Sequence, residues 1–419
     1  MANIQGGTNY AGVGASTLTS LIPIIYRALD VVAREQVGLL KAATRDVRAE
    51  TAALGQTLRS PVTQPTSITT IVPSNVSPNT GGQTLVFKDL VLTNSQAANV
   101  QWTGEEQKAV GDLYVGIVQQ QFEQAFRTLS NTVEASLVST MTAGSYFNTL
   151  ADSPLDVGGC SRAYGTAGTT PFAWDQSNFS TSMVPFGQLH LILDNNGCPE
   201  GNRHLVISQK AFANIRSMPN LYKANEADTD QMLREGIVLM VEGFKFHKSN
   251  QLDNHPNVAG TGSGYTATGT GAANGSQYVV GETVITVGAG TGTILSGNTI
   301  TWAGDPNIYV VASGLASSKI TLAAPGLQQP LSNGVAGTLG GSYTANIAFD
   351  PVALMLGARL PIMPTGGDAA TDVVMVFDPL SGLTYQIAEY RQYRQIHYEI
   401  GLAWGSMANK PEFASLLLG

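Results

Sequence analysis

Between residues 113 and 142 the apolar side chains Val118, Phe122, Ala125, Phe126, Leu129, Val133 and Leu137 recur at spacings of three and four. That period lines them up on one stripe of an α-helix. The opposite side carries Gln119, Gln120, Glu123, Gln124, Arg127 and Asn131. Asp112 suits the N-cap and Gly144 the stop. At the α-helical rise the run measures roughly 45 Å. A single helix of that length in a mixed chain needs a long partner surface, and the remaining sequence points to sheet.

Upstream, residues 1–16 are rich in Gly, Ala and Asn and read as an arm that orders only on a partner. Leu21, Ile25, Ala28, Leu29 and Val32 predict a helix running to about Leu40, capped by Thr19 or Ser20 with Pro23 in its first turn. In "TRDVRAETAALGQTLRSPVTQP" (Thr44–Pro65) charges are dense, and Pro61 and Pro65 end any helix. "TGGQTLVFKDLVLTNSQAANVQWTGEEQ" (Thr80–Gln107) reads as hairpin-like strands with polar turns. It has too few large apolar residues for a core of its own, and a two-stranded ribbon is marginal alone, so it should lie on something else.

Residues 186–255 alternate helix and strand, as an α+β unit does. "FGQLHLILDNNG" is a short helix ended at Gly197, "RHLVISQ" a buried strand, "KAFANIRSM" a helix, and "GIVLMVEGFKFHKS" one or two strands. Gly158–Asp175 is loop-like. The composition then changes. From Pro256 to about Ala345 only Glu282, Asp305 and Lys319 are charged, and short β-branched runs alternate with turn signals. This predicts a small all-β barrel or sandwich inserted in one loop of the host. After it, "ANIAFDPVALMLGARLP" reads as a strand followed by a helix, and "DVVMVFDPLSGLTYQIAEYRQYRQIHYEIGLAWGSM" as a long strand pair around "PLSG". The fold class predicted is α+β.

The 419 residues suit two to three domains at about 150 residues each. Charged residues make up 12% and hydrophobic ones 43%, a composition that excludes disorder. So little charge, beside abundant Gly, Thr, Ser, Gln and Asn, suggests surface covered by other subunits. A net charge of −8 argues against a dedicated nucleic-acid binder. It suits a container whose walls repel an anionic cargo. No signal peptide or membrane span is apparent, so the chain should be made in the cytosol and stay there unless it leaves in an assembly. Cys160 and Cys198 read as free thiols, a single bridge between them being the alternative.

The search for chemistry finds little. His190, His204, His247, His255 and His397 form no metal-ligand spacing, and no nucleophile elbow or Walker loop occurs. "GTGSGYTATGTGAANG" is a linker-like run. Glu105 and Glu106, after Trp102, are adjacent, so on a strand they would face opposite sides, and at a helix start they favour the dipole. No catalytic, cofactor or metal residue is assigned, and no enzyme activity is expected. "EYRQYRQIHYE" (Glu389–Glu399) interleaves Arg391 and Arg394 with Tyr390, Tyr393 and Tyr398. That is either a stacking platform for single-stranded nucleic acid or a strand whose Arg and Tyr meet a neighbouring subunit, and the acidic balance favours the second. "TRDVRAE" carries the same ambiguity in Arg45 and Arg48, set among Asp46 and Glu50 on a solvated helix end or between subunits.

The order of parts, with the strings "RALDVVAREQVGLL", "AETAALGQTLRSPV", "WTGEEQ", "SRAYGTAGTTPF" and "NIAFDPVAL", resembles the HK97-fold major capsid proteins of tailed phages. More narrowly it resembles the branch with an inserted β-barrel domain, that of the coat protein of short-tailed Salmonella phages. The resemblance implies an N-arm at 1–58, an E-loop at 59–110 and a P-domain with its spine helix at 111–185. It implies an A-domain in two parts, 186–255 and 346–382, around an inserted β-barrel at 256–345, and P-domain strands with the C-terminus at 383–419. It also implies a homo-oligomer of hexamers and pentamers, a scaffolding protein and portal during assembly, enclosed double-stranded DNA without sequence-specific binding, and location in the virion. A decoration protein is an open partner, and no membrane or cofactor is implied. The candidate intersubunit contacts are Arg45, Arg48, Arg59, Lys88, Trp102, Glu105, Arg391, Tyr393 and Arg394, with hinges near Gly55, Gly104 and Gly111. The covalent Lys–Asn cross-link of some relatives does not carry over, because no motif here positions it. The competing readings are an encapsulin-like shell enclosing a cargo enzyme and an adhesive or carbohydrate-binding β protein.

Overall fold

A computed structural model of the chain describes residues 35–62, 68, 70, 71, 73, 86–111, 114–143, 160–172, 183–216, 240–269, 277–364 and 367–419. The arm, most of the helix expected from Leu21, and the caps Asp112 and Gly144 lie outside the described residues. Of that first helix only Gly38–Ala42 is described as helical.

The long helix runs over Tyr114–Ala143 and is called the spine helix below. Its stripe faces inward as expected: Ala125, Leu129, Val133 and Leu137 are buried, joined by Val138 and Met141, with Phe122 and Phe126 packed beside them. It lies on a central six-stranded sheet. The strand order is Thr44–Ala52, Leu354–Pro361, Gln395–Ala408, Leu383–Gln392 and Asp372–Asp378, and Asn94–Thr103 pairs with the free side of Gln395–Ala408. Thr44–Ala52 is parallel to its neighbour, whereas the other pairings are antiparallel. Rings set the helix on the sheet: Phe126 stacks on Tyr385 at 4.9 Å between centroids, and Phe122 meets Tyr398 edge-on at 5.3 Å. Burying such aromatic and aliphatic side chains contributes about 1.5–3 kcal/mol each before chain entropy is counted.

A second sheet is continuous through two regions. In order it holds Met240–Val241, Phe244–Lys248, Arg203–Ile207, Ala345–Phe349, Ala414–Leu418, Arg162–Tyr164, Ile308–Ala316, Lys319–Leu322, Val284–Gly288 and Thr266–Ala267. Thr299–Trp302 pairs both Ile308–Ala316 and Gly337–Leu339. The helices Val184–Asn195 and Gln209–Ile215 are where the sequence places them, and their Phe186, Leu189, Leu193 and Phe212 close one apolar cluster. The charge-poor region has a cluster of its own, with Tyr265, Tyr278, Ile285, Ile300, Trp302, Tyr309, Val311 and Ile320 at its centre. Ile308–Ala316 pairs directly with Arg162–Tyr164, so the second sheet continues into this region.

Besides a strand at Arg162–Tyr164 in the stretch read as loop, and a turn at Tyr393 and Arg394 that splits Glu389–Glu399 between two strands, three local readings change. Thr44–Ala52 is a strand, not the end of a helix. It adds an edge to the central sheet, and Arg359 reaches from the next strand to bond Asp46. Leu354–Pro361 is also a strand, preceded by a single turn of 3-10 helix at Pro351–Ala353. Nearly every side chain on it is buried, so its apolar residues show no alternation, and a two-sided buried strand cannot be told from a buried helix by period. Third, Val86–Val91 and Asn94–Thr103 do not form a hairpin together. Val86–Val91 pairs back to Thr57–Val62, making a two-stranded ribbon, and Asn94–Thr103 enters the central sheet.

Candidate subunit-contact surfaces

The ribbon starts where two glycines let it. Gly357 and Gly405 face each other across adjacent strands. A Cβ on Gly405 would sit 2.1 Å from the Val91 carbonyl oxygen, and one on Gly357 would sit 2.8 Å from both Leu58 and Leu90. The trough admits Leu58, Leu90 and Leu92, which bury against Met407 and Met355. So the base of the ribbon rests on its own chain. Beyond the base, Arg59 makes a two-pronged ion pair with Asp89, at 2.8 and 2.9 Å, and lies over the Phe87 ring. The pair lifts the guanidinium and lowers the carboxyl from their ordinary ranges. In the stretch that follows Thr57–Val62, Ile68 and Ile71 are 100% and 94% exposed.

At one end of the central sheet, the turn at Tyr393 and Arg394 meets the helix Gly104–Val110. Thr103 caps that helix: its Oγ1 accepts from the Glu106 N–H at 3.3 Å, and the Glu106 carboxylate accepts from the Thr103 N–H at 2.8 Å. The Gly104 N–H donates to the Arg394 carbonyl, which ties helix to turn. Between them opens a cleft of about 680 Å³ lined by Glu105, Gln107, Arg391, Tyr393, Arg394 and Gln395 among others. Arg391 is exposed and bonded to Glu389 at 2.8 Å. Arg394, in the left-handed region at φ 56°, lies over the Tyr393 ring, and Tyr393 is 88% exposed. The structure thus gathers Glu105, Arg391, Tyr393 and Arg394 at one tip.

It does not gather the others. Trp102 is buried, donates to the Gln121 side chain at 2.7 Å and meets Tyr114 edge-on. Lys88 is buried and its ammonium donates to the Asn409 carbonyl. Both expected contact residues are therefore engaged within their own chain. Arg45 bonds the Ser381 carbonyl at 3.2 Å, far from the tip in sequence. Arg48 lies on Thr44–Ala52, with no side-chain geometry described. Of the proposed hinges, Gly55 turns the chain between two strands at φ 84° and Gly111 follows the capped helix at φ 62°, angles that favour glycine, while Gly104 begins that helix.

The outer strand of the central sheet, Asp372–Asp378, is the other open surface. Among the described residues its partner occupies one edge only. Val374, Met375 and Phe377 are at least half exposed, and they point to both faces because strand side chains alternate. Natural proteins rarely leave such an edge bare.

Sequence reading missed the residues that clasp the N-proximal segment. Arg127, Asn131 and Glu134 lie three and four apart on the spine helix and face residues 35–40. The Glu35 carboxylate accepts from Arg127 Nε at 2.6 Å and from Asn131 at 2.8 Å, and the Arg127 guanidinium holds its carboxyl down at about 2. Glu134 is fully buried, and its two oxygens accept from the N–H groups of Leu39 and Leu40 at 2.8 and 2.7 Å. Burial pushes its carboxyl up. A Glu amid Ala, Val and Ser on an apolar stripe was the available signal. Among the described residues there is no group of three or more His, Cys, Asp or Glu able to hold a metal, and no helix long and apolar enough to cross a membrane.

No family model matches the chain, and no curated protein matches it. Among solved structures it is similar to the capsid of Cyanophage P-SCSP1u, at 14% identity and a TM-score of 0.46 over 93% of this chain and 90% of that one. It is similar to the capsid of a native GTA particle at 11% identity and a TM-score of 0.45, over 93% and 92%. It is also similar to a virus-like particle from Pyrococcus furiosus at 10% identity and a TM-score of 0.37, over 96% and 97%.

Proposed function

We propose that this chain is the major subunit of an icosahedral shell, the head of a tailed phage, closed around double-stranded DNA. One observation carries the reading: apolar surface lies open in the very places where a second copy can reach it. Among the described residues the outer strand Asp372–Asp378 keeps a bare edge with Val374, Met375 and Phe377 exposed, and Ile68 and Ile71 are exposed too. Patches of that kind mark interaction sites. The ribbon base is fixed by the Gly357 and Gly405 trough, and beyond that base Phe87 is exposed. Each contact between copies is weak alone, and a closed ring makes many at once.

The mechanism is geometric. The spine helix and central sheet form the rigid wall, the ribbon reaches an adjacent subunit, and the tip with Glu105, Arg391, Tyr393 and Arg394 supplies a polar and aromatic contact of mixed charge. Hexamers and pentamers of one subunit need adjustable joints, for which Gly55 and Gly111 are placed at chain turns. The charge-poor β region is an inserted domain that supports folding and contacts between rings. A scaffolding protein and a portal assist assembly. The names of the similar solved structures are those of capsids and a virus-like particle, and the same kind of role is assigned here.

Electron micrographs of the purified full-length chain, alone and with co-expressed neighbouring genes, test this. Closed particles with dense DNA inside are expected. Closed particles holding protein cargo and no DNA would favour the encapsulin-like alternative, and a monomer that binds glycans the adhesive one.

A further inference from the structure

On a chain of net charge −8, one face of the second sheet gathers lysine and histidine side chains. Arg203–Ile207 and Phe244–Lys248 are parallel neighbours, with His204 beside Lys245 and Val206 beside His247. Alternation puts His204, Lys245 and His247 on one face. The segment that the spine helix clasps ends there, bringing exposed Lys41 alongside.

The hydrogen bonds fix an order. Asn202 Oδ1 accepts from Lys245 Nζ at 2.7 Å and lies 3.3 Å from His204 Nε2. A carboxamide oxygen only accepts, so Nε2 of His204 carries the hydrogen and its Nδ1 is the acceptor. His204 Nδ1 lies 2.8 Å from His247 Nε2, which must then donate. That leaves Nδ1 of His247 as a lone pair with no hydrogen-bond partner among the described residues. The charged groups acting on His247 are His204, Lys41 and Lys245, and Lys245 also acts on His204. Among the described residues no carboxylate does, and burial together with these cations pushes His247 down to about 4. Two lysines with no carboxylate partner among the described residues leave room for an anion.

We propose that Lys41, Lys245, His204 and His247 form a contact for the phosphodiester backbone of DNA, in which Nδ1 of His247 takes up a proton and donates it in a hydrogen bond to a phosphate oxygen. The assignment to DNA rests on the shell reading, while the anion site itself rests on the geometry alone. The contact is sequence-independent, because phosphates carry no base identity. It places an anchoring spot on a chain of net negative charge.

The test uses unassembled full-length subunits and a labelled 20-base-pair duplex, followed by anisotropy against salt and pH. Replacing both Lys41→Gln and Lys245→Gln should make the slope of log K against log salt shallower by about 2, near one unit per lost phosphate contact. Between pH 7.5 and 5.5 the wild type should gain affinity by up to about tenfold per pH unit, the limit for one proton taken up on binding. His247→Asn should lose that gain while keeping the salt slope of the lysines. Should His247→Asn fail to fold, the lysine pair, both at least partly exposed, still decides the matter. Unchanged slope in the lysine variant overturns the site. Poly-glutamate competing as well as duplex overturns DNA as the partner in favour of an acidic peptide. Loss of DNA binding in a variant that still closes particles separates this site from the shell reading, and failure to form particles with the salt slope intact does the reverse.

Discussion

The wall of the molecule and its charge-poor β region are fastened by different chemistry. Around the spine helix, charges hold the parts: Glu134 grips two backbone N–H groups, Glu35 pairs with Arg127, and buried Arg359 bonds the Asp46 carbonyl and carboxylate at 2.7 and 2.8 Å. In the β region phenols hold the loops. Tyr265, Tyr278 and Tyr343 donate to the carbonyls of Gly292, Thr268 and Gly297 at 2.6–2.8 Å, and Tyr309 donates to Asp305. A neutral hydroxyl satisfies a carbonyl without the desolvation cost of an ion. The difference teaches that a region with three charged residues can still be well specified, provided its ring hydroxyls reach its turns. It also implies that acid and salt should loosen the wall first.

The largest break in that comparison comes from the β core. Trp302→Ala removes a ring that is 2% exposed and packed on Gly337 and Ile300, and should cost about 3–5 kcal/mol. Hydrogen exchange should show lost protection over Val284–Leu322, with the spine helix unchanged. Glu134→Ala should cost about 2–4 kcal/mol, since two buried N–H groups lose their acceptor at about 1–3 kcal/mol each with partial relaxation. Exchange should then rise at Leu39 and Leu40 and stay low at Ile285 and Ile320.

Acid sharpens the comparison. The folded carboxyl of Glu35 lies at about 2, below its ordinary 4.5, so the pairing stabilises the fold above about pH 4.5, and that contribution is lost as pH falls through 2. Glu134 has the opposite sign: its raised carboxyl binds a proton more tightly in the folded state, a contribution present in acid and lost as pH rises through the folded value. The clasp should therefore loosen at Glu35 and hold at Glu134. Urea midpoints measured from pH 5 to 2 should fall more steeply for the wild type than for Glu35→Gln, by an amount worth at most about 1 kcal/mol for a partly solvated pair. At the small end, Tyr393→Ala should change monomer stability by less than about 0.5 kcal/mol, because the ring is exposed, yet reduce the yield of closed particles. Equal yields would remove the tip from the contact surfaces.

Much of this architecture is legible in the sequence because it depends on period. The stripe from Val118 to Leu137 names the spine helix and its buried face, and the loss of charge after Pro256 marks the β region. What is not legible depends on partners far away in sequence. Leu354–Pro361 is buried on both faces, so its pattern carries no alternation. Thr44–Ala52 becomes a strand because a parallel neighbour some 310 positions later pairs with it. Arg391, Tyr393 and Arg394 were found together because they are adjacent, and Glu105 joins them through a capped helix that "WTGEEQ" announces. Lys88 and Trp102 look like surface contacts in sequence, yet Asn409 and Gln121 occupy them. Glu35 and Glu134 gain their roles only when the spine helix brings positions about 95 apart together.

The central claim is that surface left open on one copy is covered by another. Electron microscopy of the purified full-length chain as concentration is raised tests it most directly. The account predicts closed icosahedral particles in which the strand Asp372–Asp378 and the ribbon are buried between copies. A monodisperse monomer at high concentration, with and without its neighbouring genes co-expressed, would contradict it.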